Sequence, residues 1–343
     1  AKCYNNIHKE TATSMRITRD TLLKTAHDTA TQRARASRDI LCIYLTGSLT
    51  TEQPLLGGVT DIDLIIVHSS EPAVEREVVR LTDEVSLDIA HYSQRIYQRP
   101  RQLRTNAWIG SFLAEDPLQL YDVAHWFEFT QASAAAQFHE PENVIARARP
   151  LAESARQGWL ALEGAPESNQ RLRSYLNIVE QAGNAIACLS GSPLTERRFL
   201  LGLPARASAI GRPGLADGLA DLFTPQAVLT PEQWSELNQA WQNALNAAAT
   251  LPDAPARLQP ARRLYYERAA AALQDEKPAA ALWIMLRTWS LAVLAGIPDA
   301  DWQAACRTLE LDDAHFMFRL SALDGYLDGV EEAQDEYIKA NGI

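Results

Sequence analysis

Two rhythms of apolar and polar positions divide the chain. Between about residues 15 and 130, short apolar runs bounded by polar or turn-forming residues have the length and β-branched content of strands: "DILCIYLTGS" (39–48), "DIDLIIVH" (61–68), "EVSLDIAHY" (84–92) and "LQLYD" (118–122). "MRITRDTLLKTAHDTATQRA", from Met15, repeats its apolar residues at helical spacing, and "PAVEREVVRLTD" (72–83) reads as a second helix between two of the strands. This stretch predicts an α/β unit. From about residue 140 the strand signal disappears, and Ala, Leu, Gln, Arg and Trp recur at helical spacing to the end, which predicts an all-α region over 140–343. In "TPEQW", Thr230 is placed to cap a helix, Pro231 to open it and Gln233 to close a capping box, while Gly191 in "CLSG" stops one. "EGAPESN", "IGRPGLADG" and "LPDAPARLQP" cluster Pro and Gly as loops. Residues 1–14 precede the first patterned segment and read as an N-terminal extension without ordered structure.

Period-two alternation inside the second strand carries the chemistry. Asp61 and Asp63 project from one face, while Ile62, Leu64 and Ile66 project from the other and suit a packed layer. "EVSLDIAHY" repeats the arrangement, with Val85, Leu87 and Ile89 opposite Asp88. If the two strands are neighbours, three carboxylates converge, and their repulsion calls for a divalent cation, with Mg²⁺ favoured by hard oxygen ligands and phosphate. Upstream, the apolar "ILCIYL" runs into Thr46-Gly47-Ser48, where a small residue lets backbone N–H groups approach phosphate and a hydroxyl adds a donor.

Apolar-Gly-Ser, a twelve-residue spacer (49–60), Asp-apolar-Asp and a third Asp on a later strand together resemble the DNA polymerase beta-like nucleotidyltransferase superfamily. The helical second half and "FLAEDPLQLYD" are similar to aminoglycoside nucleotidyltransferases. The resemblance implies an α/β (α+β) catalytic domain with a mixed sheet over 15–130 and a helical domain over 140–343 that closes a nucleotide cleft. It implies that Gly47 and Ser48 hold NTP phosphates and that Asp61 and Asp63 ligate two Mg²⁺ ions. Asp88 would complete the site of the metal that activates the acceptor, or help to take its proton. The implied reaction transfers a nucleoside monophosphate, with ATP the favoured donor, to a hydroxyl acceptor such as an aminoglycoside and releases pyrophosphate. Pro54 and Gly57-Gly58 interrupt the spacer, so it is not one long helix. The alternative reading is a non-catalytic nucleotide-binding or antitoxin-like module on the same fold.

Triphosphate also needs side-chain cations. Arg171 and Tyr175, four apart on one helix face, and Arg197 and Arg198 at the start of the next helix are the nucleotide-binding candidates; Arg95, Arg99, Arg101 and Arg104 form a second basic group. His68, His91 and His125 lack ligand partners at fixed spacing and read as structural, and the four cysteines (3, 42, 188, 306) as ordinary thiols. The Trp pairs 234/241 and 283/289 read as core.

Composition adds bounds. The 343 residues are 47% hydrophobic and 22% charged, which suits two packed domains, and the net charge of −11 disfavours nucleic acid and anionic membrane as partners. A cationic acceptor would suit that charge; a protein hydroxyl and a tRNA end are rivals to an aminoglycoside. No apolar run is long enough to cross a bilayer and the polar start lacks the core of a secretory signal, so the expected location is the cytoplasm.

Overall fold

The computed structural model describes residues 17–343; the expected N-terminal extension, and Cys3 with it, lies outside the described residues. The first helix, α1 (Arg19–Ala36), begins in a capping box: the Thr18 hydroxyl accepts from the Thr21 N–H, and the Thr21 hydroxyl oxygen accepts from the Thr18 N–H. Leu22, Ala26 and Ala30, spaced by four, form its buried stripe.

That stripe packs on a five-stranded mixed sheet with spatial order β3-β4-β2-β1-β5. The strands are β1 (Ile40–Thr46), β2 (Thr60–His68), β3 (Arg76–Arg80), β4 (Val85–Ser93) and β5 (Leu118–Asp122). β2 and β4 are parallel neighbours, and the remaining pairings are antiparallel. Alternation sorts the two faces as the sequence predicts. Ile62, Leu64, Ile66, Leu87 and Ile89 meet α1, whereas Ile65 and Val67 enter a separate cluster with Tyr44, Tyr97 and Phe127 on the other face.

One element differs from expectation. The segment 72–83 is not a helix, because Arg76–Arg80 forms edge strand β3, antiparallel to β4. Adjacent β-branched Val78 and Val79 suit a pleated ribbon, and the ladder to β4 supplies its backbone partners. Edge position suits the flanking Arg76, Glu77 and Arg80.

Two short helices, α2 (Ile109–Ala114) and α3 (Trp126–Ala135), cover part of the sheet's second face. Helices then continue as α4 (Pro141–Leu162), α5 (Asn169–Ala187), α6 (Phe199–Ala209), α7 (Gly214–Asp221), α8 (Pro231–Ala248), α9 (Arg263–Leu273), α10 (Pro278–Leu294), α11 (Ala300–Thr308) and α12 (Asp313–Asn341). The expected capping box at Thr230 opens α8, with the Thr230 N–H donating to Gln233 and the Gln233 N–H donating to Thr230. Half of the "IGRPGLADG" loop is helical, since α7 starts at Gly214 directly after Pro213. Trp241, Trp283 and Trp289 are buried in one apolar core that runs through α4 to α12, and Trp234 packs on its edge. Among the described residues, no helix is long and apolar enough to cross a membrane.

Candidate active site

The parallel register of β2 on β4 sets Asp63 directly beside Asp88, with Asp61 two residues earlier on the same face. Carboxylate oxygens of the three lie within 4.8 Å of one another. They line a cavity of about 390 Å³ between the sheet face that α1 leaves free and the helical region. Gly47, with φ +76°, begins a 3₁₀ turn (Gly47–Thr50) at the end of β1. A Cβ there would fall on Asp63 Oδ2 and lie 2.8 Å from its Cγ, so a side chain larger than hydrogen has no space. Ser48 follows in the cavity wall, its hydroxyl 3.4 Å from that of Thr60.

Arginines bracket the acids. Arg262, on the 3₁₀ turn Pro260–Arg262 that leads into α9, reaches Asp61 Oδ2 at 2.6 Å and also pairs with Asp88. Arg76 grips Asp88 from the sheet edge through two hydrogen bonds, each 2.6 Å. Arg197 lies 3.8 Å from Asp61 Oδ1, and its guanidinium stacks over the Tyr265 ring 3.2 Å from the centroid. Arg262 lies over the same ring, 4.6 Å from the centroid.

This asymmetry separates the acids. Burial pushes the Asp61 carboxyl up, but the guanidiniums of Arg262 and Arg197 outweigh it and hold Asp61 below the ordinary value. Asp63 has no ion pair among the described residues; burial first, and the Asp61 charge second, push it up to about 8. Three hard oxygen donors, one of them short of positive charge, fit a divalent cation, and Asp61, Asp63 and Asp88 are the residues that would hold it.

The remaining candidates divide. Arg197 and Arg198 line the cavity, with Arg198 donating to the Gln53 carbonyl at 2.6 Å and so tying the helical region to the spacer after Gly47. Arg171 and Tyr175 are not brought there. Their face of α5 turns to α12, where Arg171 bonds Asp313 at 2.7 Å and stacks on Phe316, and the buried Tyr175 hydroxyl donates to the Leu222 carbonyl at 2.8 Å. The cavity side of the same helix is marked by Glu180, which Arg287 holds at 2.5 Å. Of the second basic group, Arg104 bonds the Ser133 carbonyl and Gln137, and none of the four lines the cavity. His68 and His91 bond each other at 2.9 Å on the α1 face, and His125 pairs with Glu128.

Sequence reasoning missed Arg76, Arg257, Arg262 and Tyr265, all in the cavity wall. For Arg76 the signal was present: read as a strand, 76–80 puts Arg76 and Val78 on the face of Asp88. Arg262 has no local signal, since 201 residues separate it from Asp61.

No family model matches the sequence, and no curated protein matches it. Among solved structures, a nucleotidyltransferase-like protein from Exiguobacterium sibiricum 255-15 is similar at 12% identity, over 90% of this chain and 91% of that one, with a TM-score of 0.29. A likeness that loose leaves the reading of this site to its own geometry.

Proposed function

We propose that the chain is a metal-dependent nucleotidyltransferase that moves a nucleoside monophosphate from an NTP to a hydroxyl acceptor. One observation carries the reading: three carboxylates from adjacent parallel strands share a single cavity with a Gly-Ser turn and a wall of arginines. The motif set in the sequence supports it independently. The Gly47–Thr50 turn offers backbone N–H groups and the Ser48 hydroxyl to phosphate oxygens, and Arg197 and Arg198 add charge from the opposite wall. A divalent cation, when bound, would supply the positive charge that binds triphosphate and eases the departure of pyrophosphate; two Mg²⁺ ions and ATP are the favoured pair. Asp61, Asp63 and Asp88 orient that charge, and the burial of Asp61 and Asp88 keeps water from competing for it.

The acceptor is a hydroxyl group on the open side of the cavity. Its acids are largely spoken for: Asp61 and Asp88 pair with Arg262, Glu196 with Arg257 and Glu180 with Arg287. An aminoglycoside would therefore meet one unpaired carboxylate, Asp63, and it belongs in a panel beside protein hydroxyls and tRNA ends. The test is Mg²⁺-dependent transfer of α-labelled ATP, GTP, CTP and UTP to that panel, with Asp61→Asn alongside. Label that appears on an acceptor and disappears in the variant supports the proposal; no label on any acceptor counts against it. The second reading, a nucleotide-binding module without transfer, is favoured by the arginines already seated on Asp61 and Asp88. Nucleotide binding without transfer would select it.

A further inference from the structure

Arg262 is placed unlike the other arginines of the cavity. Its side chain is 4% exposed and bridges two acids on different strands, Asp61 on β2 and Asp88 on β4. Asp88 does not need it for neutrality, because Arg76 already holds both of its oxygens. The Nε of Arg262 is buried without a hydrogen-bond partner, which costs free energy, so its two ion pairs and the Tyr265 ring are what hold the group. The backbone that delivers it is anchored at Leu258, which is buried in the helical core, and Arg262 ends the second of two short turns. Residues 255–262 form two short 3₁₀ turns, closed by the Leu258 N–H on the Pro255 carbonyl and the Arg262 N–H on the Gln259 carbonyl.

A cation seated between Asp61 and Asp88 occupies the place where a divalent ion would draw the same oxygens. We propose that Arg262 is a tethered competitor for metal: the guanidinium and a divalent ion contend for the same carboxylate oxygens, and the ion enters only as Arg262 and the 260–262 turn withdraw. This rests on the reading of Asp61, Asp63 and Asp88 as metal ligands. Charge balance makes the exchange direct, since the acids that lose the guanidinium gain the ion and neither state leaves both of them bare.

The test uses Mn²⁺ alone as the probe, with free ion counted by electron paramagnetic resonance. Arg262→Gln should bind Mn²⁺ at least about tenfold more tightly than the wild type, a change of about 1.4 kcal/mol. Arg262→Lys, which keeps a charge but lacks the forked donors that span both acids, should fall between. In the wild type, Mn²⁺ should speed hydrogen exchange at the amide of Arg262, which closes its turn on the Gln259 carbonyl, a readout that needs no variant to fold. Equal Mn²⁺ affinity in wild type and Arg262→Gln, or Mn²⁺ binding that leaves exchange at Arg262 unchanged, would overturn the competition while preserving the metal site. Absence of Mn²⁺ binding in both folded proteins would overturn the metal site and the competition together.

Discussion

Asp63→Asn offers the most direct measurement of the electrostatics of the acid cluster. The folded-state carboxyl of Asp63 is pushed from an ordinary 3.8 up to about 8 by burial and by Asp61. Between those two values the folded protein keeps a proton that the unfolded chain has released. Stability is therefore fully retained below about pH 4, falls as the pH rises toward 8 and levels off above it. The full shift corresponds to a ceiling of about 6 kcal/mol. Asp63 borders an open cavity, and screening by the solvent there brings the expected penalty to about 2–3 kcal/mol at the upper end. Asparagine is nearly isosteric and does not titrate. In metal-free buffer, the melting temperature of Asp63→Asn minus that of the wild type should widen with pH, by a few degrees in all at about 1–2 °C per kcal/mol for a chain of this size. Saturating Mg²⁺ should remove the widening by keeping Asp63 ionised. A difference that stays constant from about pH 5 to about pH 9 would refute the reasoning, because it would mean that Asp63 is already ionised at the acid end.

Other substitutions test separate parts of the site. Gly47→Ala forces a Cβ onto Asp63 at φ +76°, and transfer activity should be lost with a stability change of about 1–2 kcal/mol, checked by labelled-NTP transfer beside a denaturant melt. Arg171→Gln breaks a pair whose partner is 59% exposed, so it should cost less than about 1 kcal/mol and leave nucleotide affinity unchanged by calorimetry; a lost nucleotide signal would return Arg171 to the site. Tyr175→Phe removes a buried hydroxyl from the Leu222 carbonyl and should cost about 1–2 kcal/mol in chemical denaturation, again without altering nucleotide affinity. Arg198→Ala removes a donor to the Gln53 carbonyl as well as a cavity cation, and weaker NTP binding by at least about tenfold is the expected calorimetric result.

The acid cluster was legible in the sequence because strand alternation is local. Once 61–68 and 84–92 are strands, the faces of Asp61, Asp63 and Asp88 follow from the pleat, and so does the burial of Ile62, Leu64 and Leu87 against a helix. Helix rhythm and the Thr230 capping box are local for the same reason. Tertiary structure decided what depends on contacts distant along the chain. Segment 76–80 is a strand because β4 offers it a ladder. Arg171 and Tyr175 share a helix face, as their spacing requires, but the packing of α5 on α12 turned that face to the core. Arg262 lies in a loop with no periodicity, and only chain folding brings it to Asp61 and Asp88. The face that each carboxylate takes was a local fact; the β2–β4 pairing that gathers them, the β3 ladder that brings Arg76 to Asp88 and the packing of the helical region that brings Arg197 and Arg262 were set by tertiary structure.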